Sequence, residues 1–345
     1  MSAPSTSGLD SLPDSVPADA RDEISRFLPH LPPATSCIAT GSLVEGIGNA
    51  NSDIDLYILQ DSRQAEAKPI SIGMRRFRYL DCEYMSHEGV DGLAAKFQDP
   101  STSAVIEFKQ RDFNRYYRLA IGAPLVLTQD VAELLTRFSK EQACRHFGQW
   151  SLLRAYQHLA RATVSHALGD ARRARLLLRE AARWRASSVL AAAGEGYPSL
   201  KWTTVKAARR FGADTPAYRD CLAGYLDNSG DLGRDLAHLR ERIRLPEESR
   251  RAAGAERWAL NDDVRMVSAS EGHYLLHGKQ SIVRLSGIAS LLAAEMGRGR
   301  RWDDAVASVA TELSVPVHEV LAAASPYMRE LGRSGYLVAD ADEEP

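Results

Sequence analysis

Cysteine is scarce and scattered in this sequence. Its four cysteines, Cys37, Cys82, Cys144 and Cys221, form no CxxC pair and no cluster with histidine. This spacing argues against a zinc site or a disulfide framework and favours a reducing compartment. The nine histidines include no HxH or HExxH spacing, which argues against a metal site built on histidine.

Long apolar segments are also missing. No run approaches the roughly 20 apolar residues that a membrane helix requires. The N-terminal stretch MSAPSTSGLDSLPDSVPADA has neither a basic start nor an apolar centre, so it does not have the pattern of a signal peptide. We therefore expect a cytoplasmic protein that makes no contact with a membrane. Residues 1–20, rich in Ser, Pro, Asp and Ala, are predicted to be disordered.

The length of 345 residues predicts two or three domains. The net charge of −2 conceals a basic middle, residues 136–260, between two acidic ends. A basic region of this kind suits a polyanion such as a nucleoside triphosphate, and a set of long helices with solvated arginines explains it equally well. The arginines between 172 and 185 are spaced so that they wrap around a helix, which favours a solvated surface.

Alternating or continuous apolar runs bounded by turn residues predict strands at 36–40, 53–59 and 77–85. These strands and a short helix before them predict an α/β core with a mixed sheet over residues 21–128. Residues 129–245 have helical periodicity throughout and predict an all-α domain. The polar stretch 246–256 is interpreted as a linker.

The C-terminal part of the chain has a different order of elements. Three short strands are predicted at 264–268, 273–277 and 281–285, and three helices follow at 288–296, 302–313 and 318–338. This order is typical of a winged-helix (βββααα) module, which we place at 257–338. Residues 339–345 are predicted to be an acidic tail.

The stretch CIATGSLVEGIGNANSDIDLYIL contains the chemically informative residues. Gly41 and Ser42 follow a buried strand, and the next strand begins with Asp53 and Asp55. Residues i and i+2 of a strand face the same side, so both carboxylates project together. Paired carboxylates suit Mg²⁺, a cation that takes oxygen ligands and shares its shell with phosphate and water. Gly41 allows a close backbone approach to phosphate, and Ser42 and Ser52 can donate hydrogen bonds to it.

A third carboxylate commonly completes such a site as a metal ligand or general base. The strand RYLDCEYM offers Asp81 and Glu83 on one face. Asp81 is favoured as the third metal ligand because it lies between Leu80 and Cys82, and Glu83 stays an alternative. Lys201, after a Gly/Pro loop, is a further candidate for binding the triphosphate, or else an ordinary surface lysine.

The motif resembles that of the nucleotidyltransferase superfamily. It consists of Gly41-Ser42, a spacer, Asp-Ile-Asp-Leu at 53–56, and a later strand with an aspartate between apolar residues. That superfamily includes DNA polymerase β and the aminoglycoside adenylyltransferases, and the resemblance covers residues 37–83. It implies Mg²⁺ and a nucleoside triphosphate, ATP first, as cofactors, with Asp53 and Asp55 as metal ligands. The helical region is similar to the substrate domain of adenylyltransferases in character only.

Residues 273–338 resemble the PqqD-like peptide-binding domains, also called RiPP recognition elements. The resemblance rests on Leu285-Ser286 at the end of a strand and on LGRSGYLV at the end of the module. Ser286-Gly287 and Arg301-Trp302 depart from the usual Asn-Glu and Gly-Thr of that family. The resemblance implies that the strands at 264–285 and the helix at 318–333 bind a leader peptide. The leader would add as a strand beside 281–285, with its side chains in a groove lined by Val320, Leu321 and Tyr327.

The module is acidic overall and lacks a basic recognition helix, which argues against DNA as its partner. A structural or dimerising winged helix stays open. The combined expectation is transfer of AMP to a hydroxyl or carboxylate of a ribosomally made precursor peptide in natural-product biosynthesis. The alternatives are small-molecule (aminoglycoside-like) or RNA nucleotidylation and a non-catalytic peptide-binding scaffold. The scaffold is favoured if the carboxylates at 53, 55 and 81 or 83 do not converge.

Overall fold

The computed structural model describes most of the chain. The described residues are 7–60, 70–75, 78–98, 108–226, 229–245, 256–270, 272–278 and 281–339. The predicted linker, apart from Glu256, lies outside them, as do residues 1–6 and the acidic tail from residue 340 onward.

The chain divides into two compact units. One contains Met1–Trp150 and Ser187–Tyr218, and the other contains Ser151–Ala186 and Arg219–Pro345. The region predicted to be one helical domain, residues 129–245, is therefore shared between the two units. Helical periodicity shows that a segment is a helix with one apolar face, but it does not show which neighbour covers that face.

The first unit contains one sheet and several helices. Its strands are β1 (Ser36–Thr40), β2 (Ile54–Gln60), β3 (Ile70–Arg75), β4 (Arg78–Ser86) and β5 (Ala123–Val126). Its helices are α1 (Ala18–Phe27), α2 (Gly41–Val44), α3 (His87–Gln98), α4 (Gln110–Ile121), α5 (Gln129–Leu135) and α8 (Thr203–Phe211). Helices α6 (Lys140–Ala167), α7 (Ala171–Ala192) and α9 (Pro216–Cys221) run from one unit into the other.

The strand order is β3-β4-β2-β1-β5, and the predicted mixed sheet is confirmed. Strands β2 and β4 are parallel, whereas the other neighbours are antiparallel. Strands β3 and β5 were not predicted. Strand β5 contains Pro124, which reads as a break in the sequence. An edge strand tolerates proline because its missing N–H is needed by no neighbour on the outer side.

One face of the sheet is apolar, and the N-terminal segment covers it. Leu12 and Val16 are buried against Cys37, Leu56 and Leu80 of the strands. The prediction of disorder for residues 1–20 is therefore wrong for residues 7–20, which include a 3-10 turn at Ser7–Ser11. The composition of this segment is mostly polar, but its few apolar residues cover the apolar face of the sheet.

The other face of the sheet carries the polar residues of the motif. Because side chains alternate along a strand, Asp55 and Tyr57 of β2 and Asp81 and Glu83 of β4 project away from the apolar core. Helix α4 packs against β1. The Thr40 hydroxyl, at the end of β1, donates a hydrogen bond of 2.9 Å to the Arg118 carbonyl oxygen. This contact fixes α4 beside the Gly-Ser turn.

The second unit contains the remaining elements. They are α10 (Leu232–Arg242), β6 (Trp258–Leu260), β7 (Val264–Ala269), β8 (Gly272–His277), β9 (Ser281–Arg284), α11 (Ile288–Gly297), α12 (Trp302–Leu313), α13 (Val317–Arg333) and β10 (Leu337–Ala339). The predicted order of three strands and three helices agrees with this list. Strands β7, β8 and β9 form an antiparallel sheet in that order, and β6 pairs with β10, a pair that was not predicted. The last helix ends at Arg333, before Gly335 turns the chain with a φ of +78°.

The predicted peptide groove on α13 is wrong in part. Val320 is fully buried and cannot line an open groove. The Tyr327 hydroxyl accepts hydrogen bonds from Arg161 and Arg173, and Glu319 pairs with Arg240 at 2.9 Å. Helices α6 and α7 therefore contact Tyr327, which was expected to face a peptide, and α10 contacts Glu319, next to Val320.

Within the described residues, no single helix is both long and apolar enough to cross a membrane, and only the bent pair α12–α13 passes that test when taken together. All four cysteines belong to the described residues, are buried and form no disulfide.

Candidate active site

Gly41 lies at the turn between β1 and α2, in direct contact with the motif carboxylate. Its φ of +84° is in the left-handed region that favours glycine. A Cβ atom at this position would lie 2.6 Å from the Asp55 carboxyl carbon and closer still to Oδ2. Only glycine therefore lets the backbone lie this close to Asp55. The two halves of the sequence motif meet at this point.

The three aspartates of the motif lie on the same face of the sheet. Asp55 and Asp81 are register partners on the parallel strands β2 and β4, and Asp53 is exposed just before β2. Burial raises the pKa of Asp55; Arg118 opposes this, whereas Asp81 and Asp53 raise it further. Burial likewise raises the pKa of Asp81, with added repulsion from Glu83 and Asp53. The face therefore holds more negative charge than its surroundings neutralise.

Arg118 is a residue of this site that was not predicted. Its Nη1 atom lies 3.1 Å from Asp55 Oδ1, and its Nη2 donates a hydrogen bond of 3.2 Å to the Tyr197 hydroxyl. Burial opposes the charge of Arg118, but Asp55 and Tyr197 keep its pKa above the ordinary value. The spacing of Arg115 and Arg118, three residues apart on the amphipathic helix α4, was the available signal, because it places both on one face.

Glu83 is held differently from Asp81. It forms an ion pair with Arg115, whose Nε donates a hydrogen bond of 2.7 Å to Oε1. Among the described residues Asp81 has no such cation partner, although Arg118 lowers its pKa from a distance. Asp81 has no such ion pair with another described residue and lies opposite Asp55 in the strand register, so the arrangement favours Asp81 over Glu83 as the third carboxylate.

The carboxylates of Asp53, Asp55 and Asp81 are suitable ligands for a hard cation, but their side chains do not converge on one point. Among the residues that the structure describes, no group of three or more His, Cys, Asp or Glu side chains is close enough together to hold a metal ion. The Asp55 carboxylate is paired with Arg118 instead. Carboxylate oxygens that repel one another are nevertheless the ligands that Mg²⁺ prefers. Mg²⁺ binding by Asp53, Asp55 and Asp81 stays a prediction.

The predicted phosphate-binding residues differ in their surroundings. Ser42 is buried, and its carbonyl oxygen accepts the N–H groups of Ile47 and Gly48 at 3.0 and 2.8 Å. The Ser52 hydroxyl accepts the Asn49 N–H at 2.9 Å, so it stabilises the loop before Asp53 rather than pointing outward. Lys201 is exposed in a 3-10 turn and lies near enough to Asp55 to lower its pKa.

A charged network joins the Gly-Ser turn to the segment that contains Lys201. Glu45 pairs with Arg209 at 2.9 Å, and Arg209 also donates a hydrogen bond of 3.0 Å to Glu195. Lys206 is fully buried and donates a hydrogen bond of 2.6 Å to the Tyr197 carbonyl oxygen. Burial lowers the pKa of Lys206 to about 8. These contacts hold Tyr197, and through it Arg118, in place.

Asp81→Asn is expected to stabilise the protein at neutral pH. The folded-state pKa of Asp81 is raised, so its ionisation opposes folding and stability is lost as pH rises through that pKa. Because Asp81 is partly exposed, solvent screens the repulsion, and the expected gain in unfolding free energy is roughly 0.5 kcal/mol. Chemical denaturation at pH 7 and pH 3 measures it, and the gain should vanish at the lower pH.

Glu83→Gln is the matched variant, two residues along the same strand. It removes the partner of Arg115, so we expect a loss of about 1–2 kcal/mol at pH 7. A loss of stability in both variants would show that Asp81 is not a repelled carboxylate.

Comparison with models of known protein families finds no match to this chain, and no curated protein is significantly similar to it.

Proposed function

We propose that the chain is a Mg²⁺-dependent nucleotidyltransferase that moves AMP from ATP to an acceptor oxygen. One observation carries the proposal: Gly41 adopts a conformation suited to glycine and leaves no room for a side chain against the Asp55 carboxylate. A buried carboxylate whose pKa is raised and that lies opposite a second carboxylate is an arrangement typical of functional sites.

The proposed roles follow from the surroundings of each residue. Asp53, Asp55 and Asp81 would hold Mg²⁺, which when bound neutralises phosphate charge and orients the triphosphate. The Gly41-Ser42 turn would lie against the phosphates, and Lys201 would add positive charge beside Asp55. As the alternative to binding Mg²⁺, Asp81, whose pKa is raised, would accept the proton of an acceptor hydroxyl. That oxygen would then bond to the α-phosphorus while the bond from the α-phosphorus to pyrophosphate breaks.

A precursor peptide is the proposed acceptor, bound at strand β9. Strand β9 is an edge of the described three-stranded sheet, and its Ile282 side chain is 69% exposed. An edge strand presents unpaired backbone groups to which an extended peptide can add. Small-molecule or RNA nucleotidylation and a non-catalytic peptide-binding scaffold are the competing proposals. The scaffold is supported by the carboxylates at 53, 55 and 81, which among the described residues do not lie close enough together to form a metal-binding group. The predicted cytoplasmic location stays a prediction.

A labelling experiment separates these proposals. The full chain is incubated with each α-labelled nucleoside triphosphate and Mg²⁺ or EDTA, with candidate precursor peptides, aminoglycosides or RNA as acceptors. We expect Mg²⁺-dependent label on the peptide from ATP, and at least a 10²-fold loss in Asp53→Ala. The exposed acid Glu88 provides the control variant, Glu88→Ala, which should keep full activity. Label that persists unchanged in Asp53→Ala would remove the assigned site.

A further inference from the structure

The second unit contains a cavity of about 440 Å³ that the proposed reaction does not use. Its walls come from α6, α7, the start of α11, and α13. Apolar residues line part of it, among them Val164, Leu177 and Leu291, and two arginines, Arg161 and Arg173, line another part. The cavity therefore combines an apolar wall with concentrated positive charge.

The two guanidinium groups converge on one neutral atom. Arg161 Nη2 lies 2.6 Å and Arg173 Nη2 lies 3.0 Å from the Tyr327 hydroxyl oxygen. Neither guanidinium forms an ion pair with any carboxylate in the part of the chain that the structure describes. Asp170, the acidic residue among those lining the cavity, accepts the backbone N–H of Arg173 at 3.0 Å. The phenol hydroxyl that they share therefore leaves both positive charges without a counter-ion from the described residues.

Neighbouring groups respond to this excess of positive charge. Burial lowers the pKa of Arg154, and repulsion from Arg329 and Arg161 lowers it further. His158 has a pKa of about 4, because of burial and repulsion from Arg161 and Arg154. The charges of Arg161 and Arg173, partly buried and without a carboxylate partner among the described residues, cost stability unless an anion is bound.

The start of helix α11 adds further donors to the same cavity. Gly287 precedes the helix with a φ of +56°, and no side chain caps it. A Cβ atom on Gly287 would lie 3.8 Å from Arg173 Nη1, so the uncapped backbone lies beside that guanidinium. Ser286 and Ser290 also line the cavity. Arginine, a helix N-terminus and hydroxyl groups are the donors that proteins use for phosphate.

We propose that this cavity, lined by Arg161, Arg173 and the start of α11, binds the phosphate group of a phosphomonoester. A phosphomonoester dianion balances two guanidinium charges, whereas a carboxylate balances only one. Its three terminal oxygens can also accept from both arginines and the helix start together. The apolar wall formed by Val164, Leu177 and Leu291 would contact the rest of the ligand. The site is independent of the transferase reaction.

Thermal unfolding of the full chain tests this proposal in the absence of nucleotide and divalent metal. Inorganic phosphate, acetate and chloride are compared at constant ionic strength and pH 7.5. We expect saturating phosphate to raise the Tm by roughly 3–5 °C, with little change in acetate or chloride. An equal rise in acetate would overturn the assignment to phosphate.

Substitution of the arginines locates the effect. Arg173→Gln and Arg161→Gln should lose the phosphate-dependent rise and, without phosphate, unfold at or above the parent's Tm because repulsion is relieved. Arg172→Gln, at an exposed neighbouring position outside this cavity, is the matched control and should keep the rise. A rise that persists in Arg173→Gln would remove the site.

Titration calorimetry with the same proteins distinguishes the source of the phosphate group. O-phosphoserine represents a phosphorylated peptide, and AMP represents a nucleotide. Binding of either compound by the parent, and its loss in Arg173→Gln, supports the site and identifies the ligand class. Equal binding of both compounds to the parent and to Arg173→Gln would contradict it.

Discussion

Asp55→Asn is expected to lower the rate of nucleotidyl transfer on the order of 10³-fold or more, because it removes the central carboxylate of the proposed metal site. Asparagine keeps the shape of the side chain, so the Gly41 contact persists. The charge is lost, however, and with it the ability to hold Mg²⁺ against the triphosphate. Single-turnover transfer from α-labelled ATP at saturating Mg²⁺ measures the effect.

This substitution also leaves Arg118 without its ion-pair partner. The substitution relieves repulsion from Asp81 and Asp53, but it leaves the guanidinium of Arg118, whose pKa Asp55 raises, without its counter-charge. The side chains of Asp55 and Arg118 are only 14% and 23% exposed, so the unpaired guanidinium outweighs the relief and should cost about 1–3 kcal/mol of unfolding free energy. Partial unfolding is therefore a second explanation for a loss of activity in Asp55→Asn. The double variant Asp55→Asn/Arg118→Gln removes the unpaired charge and should recover most of the lost stability.

The double variant separates the two effects. If Asp55 acts in catalysis, the recovered protein stays inactive at the temperature where the parent works. Recovery of transfer together with stability would contradict a catalytic role and would leave Asp55 as a structural partner of Arg118.

The sequence predicted the centre of the first unit well, and the reason is visible in the strands. In β2, Ile54 and Leu56 are buried in the core while Asp55 faces the opposite side. A carboxylate that interrupts a buried strand conflicts with local packing, and conflicts of this kind are where function is expected. The same argument applies to Asp81 between Leu80 and Cys82.

Other parts of the fold could not be predicted because their signal depends on partners distant in sequence. Leu12 and Val16 are isolated apolar residues in a polar segment, and only the uncovered face of the sheet gives them a place. Arg118 has the pattern of a solvated helix residue until β2 brings Asp55 to it. Tyr327 was assigned to a peptide groove, whereas its hydroxyl accepts a hydrogen bond from Arg161. That contact was not predicted because the two residues are 166 positions apart in the sequence. Local periodicity contains no information about such pairs.

Gly41→Ala is expected to abolish transfer nearly as completely as the loss of Asp55, although it changes no charge. The new methyl group would overlap the Asp55 carboxylate, so either that side chain or the Gly-Ser turn must move. A displacement of about 1 Å in a phosphoryl-transfer site costs on the order of 10²-fold in rate. The overlap, added to the strain of alanine at a positive φ, should cost about 2–4 kcal/mol of unfolding free energy.

Gly46→Ala is the matched control for this prediction. Gly46 also has a positive φ, +74°, and a Cβ atom there would meet nothing closer than 3.6 Å, at Ser15. Gly46→Ala should therefore lose only about 1 kcal/mol of unfolding free energy, from the strained backbone conformation, and should retain most of the transfer activity. The difference between the two variants measures the contact with Asp55, because the strain is common to both. Equal losses of stability and activity in both variants would show that Gly41 serves the turn alone and that no close approach to the carboxylate is needed.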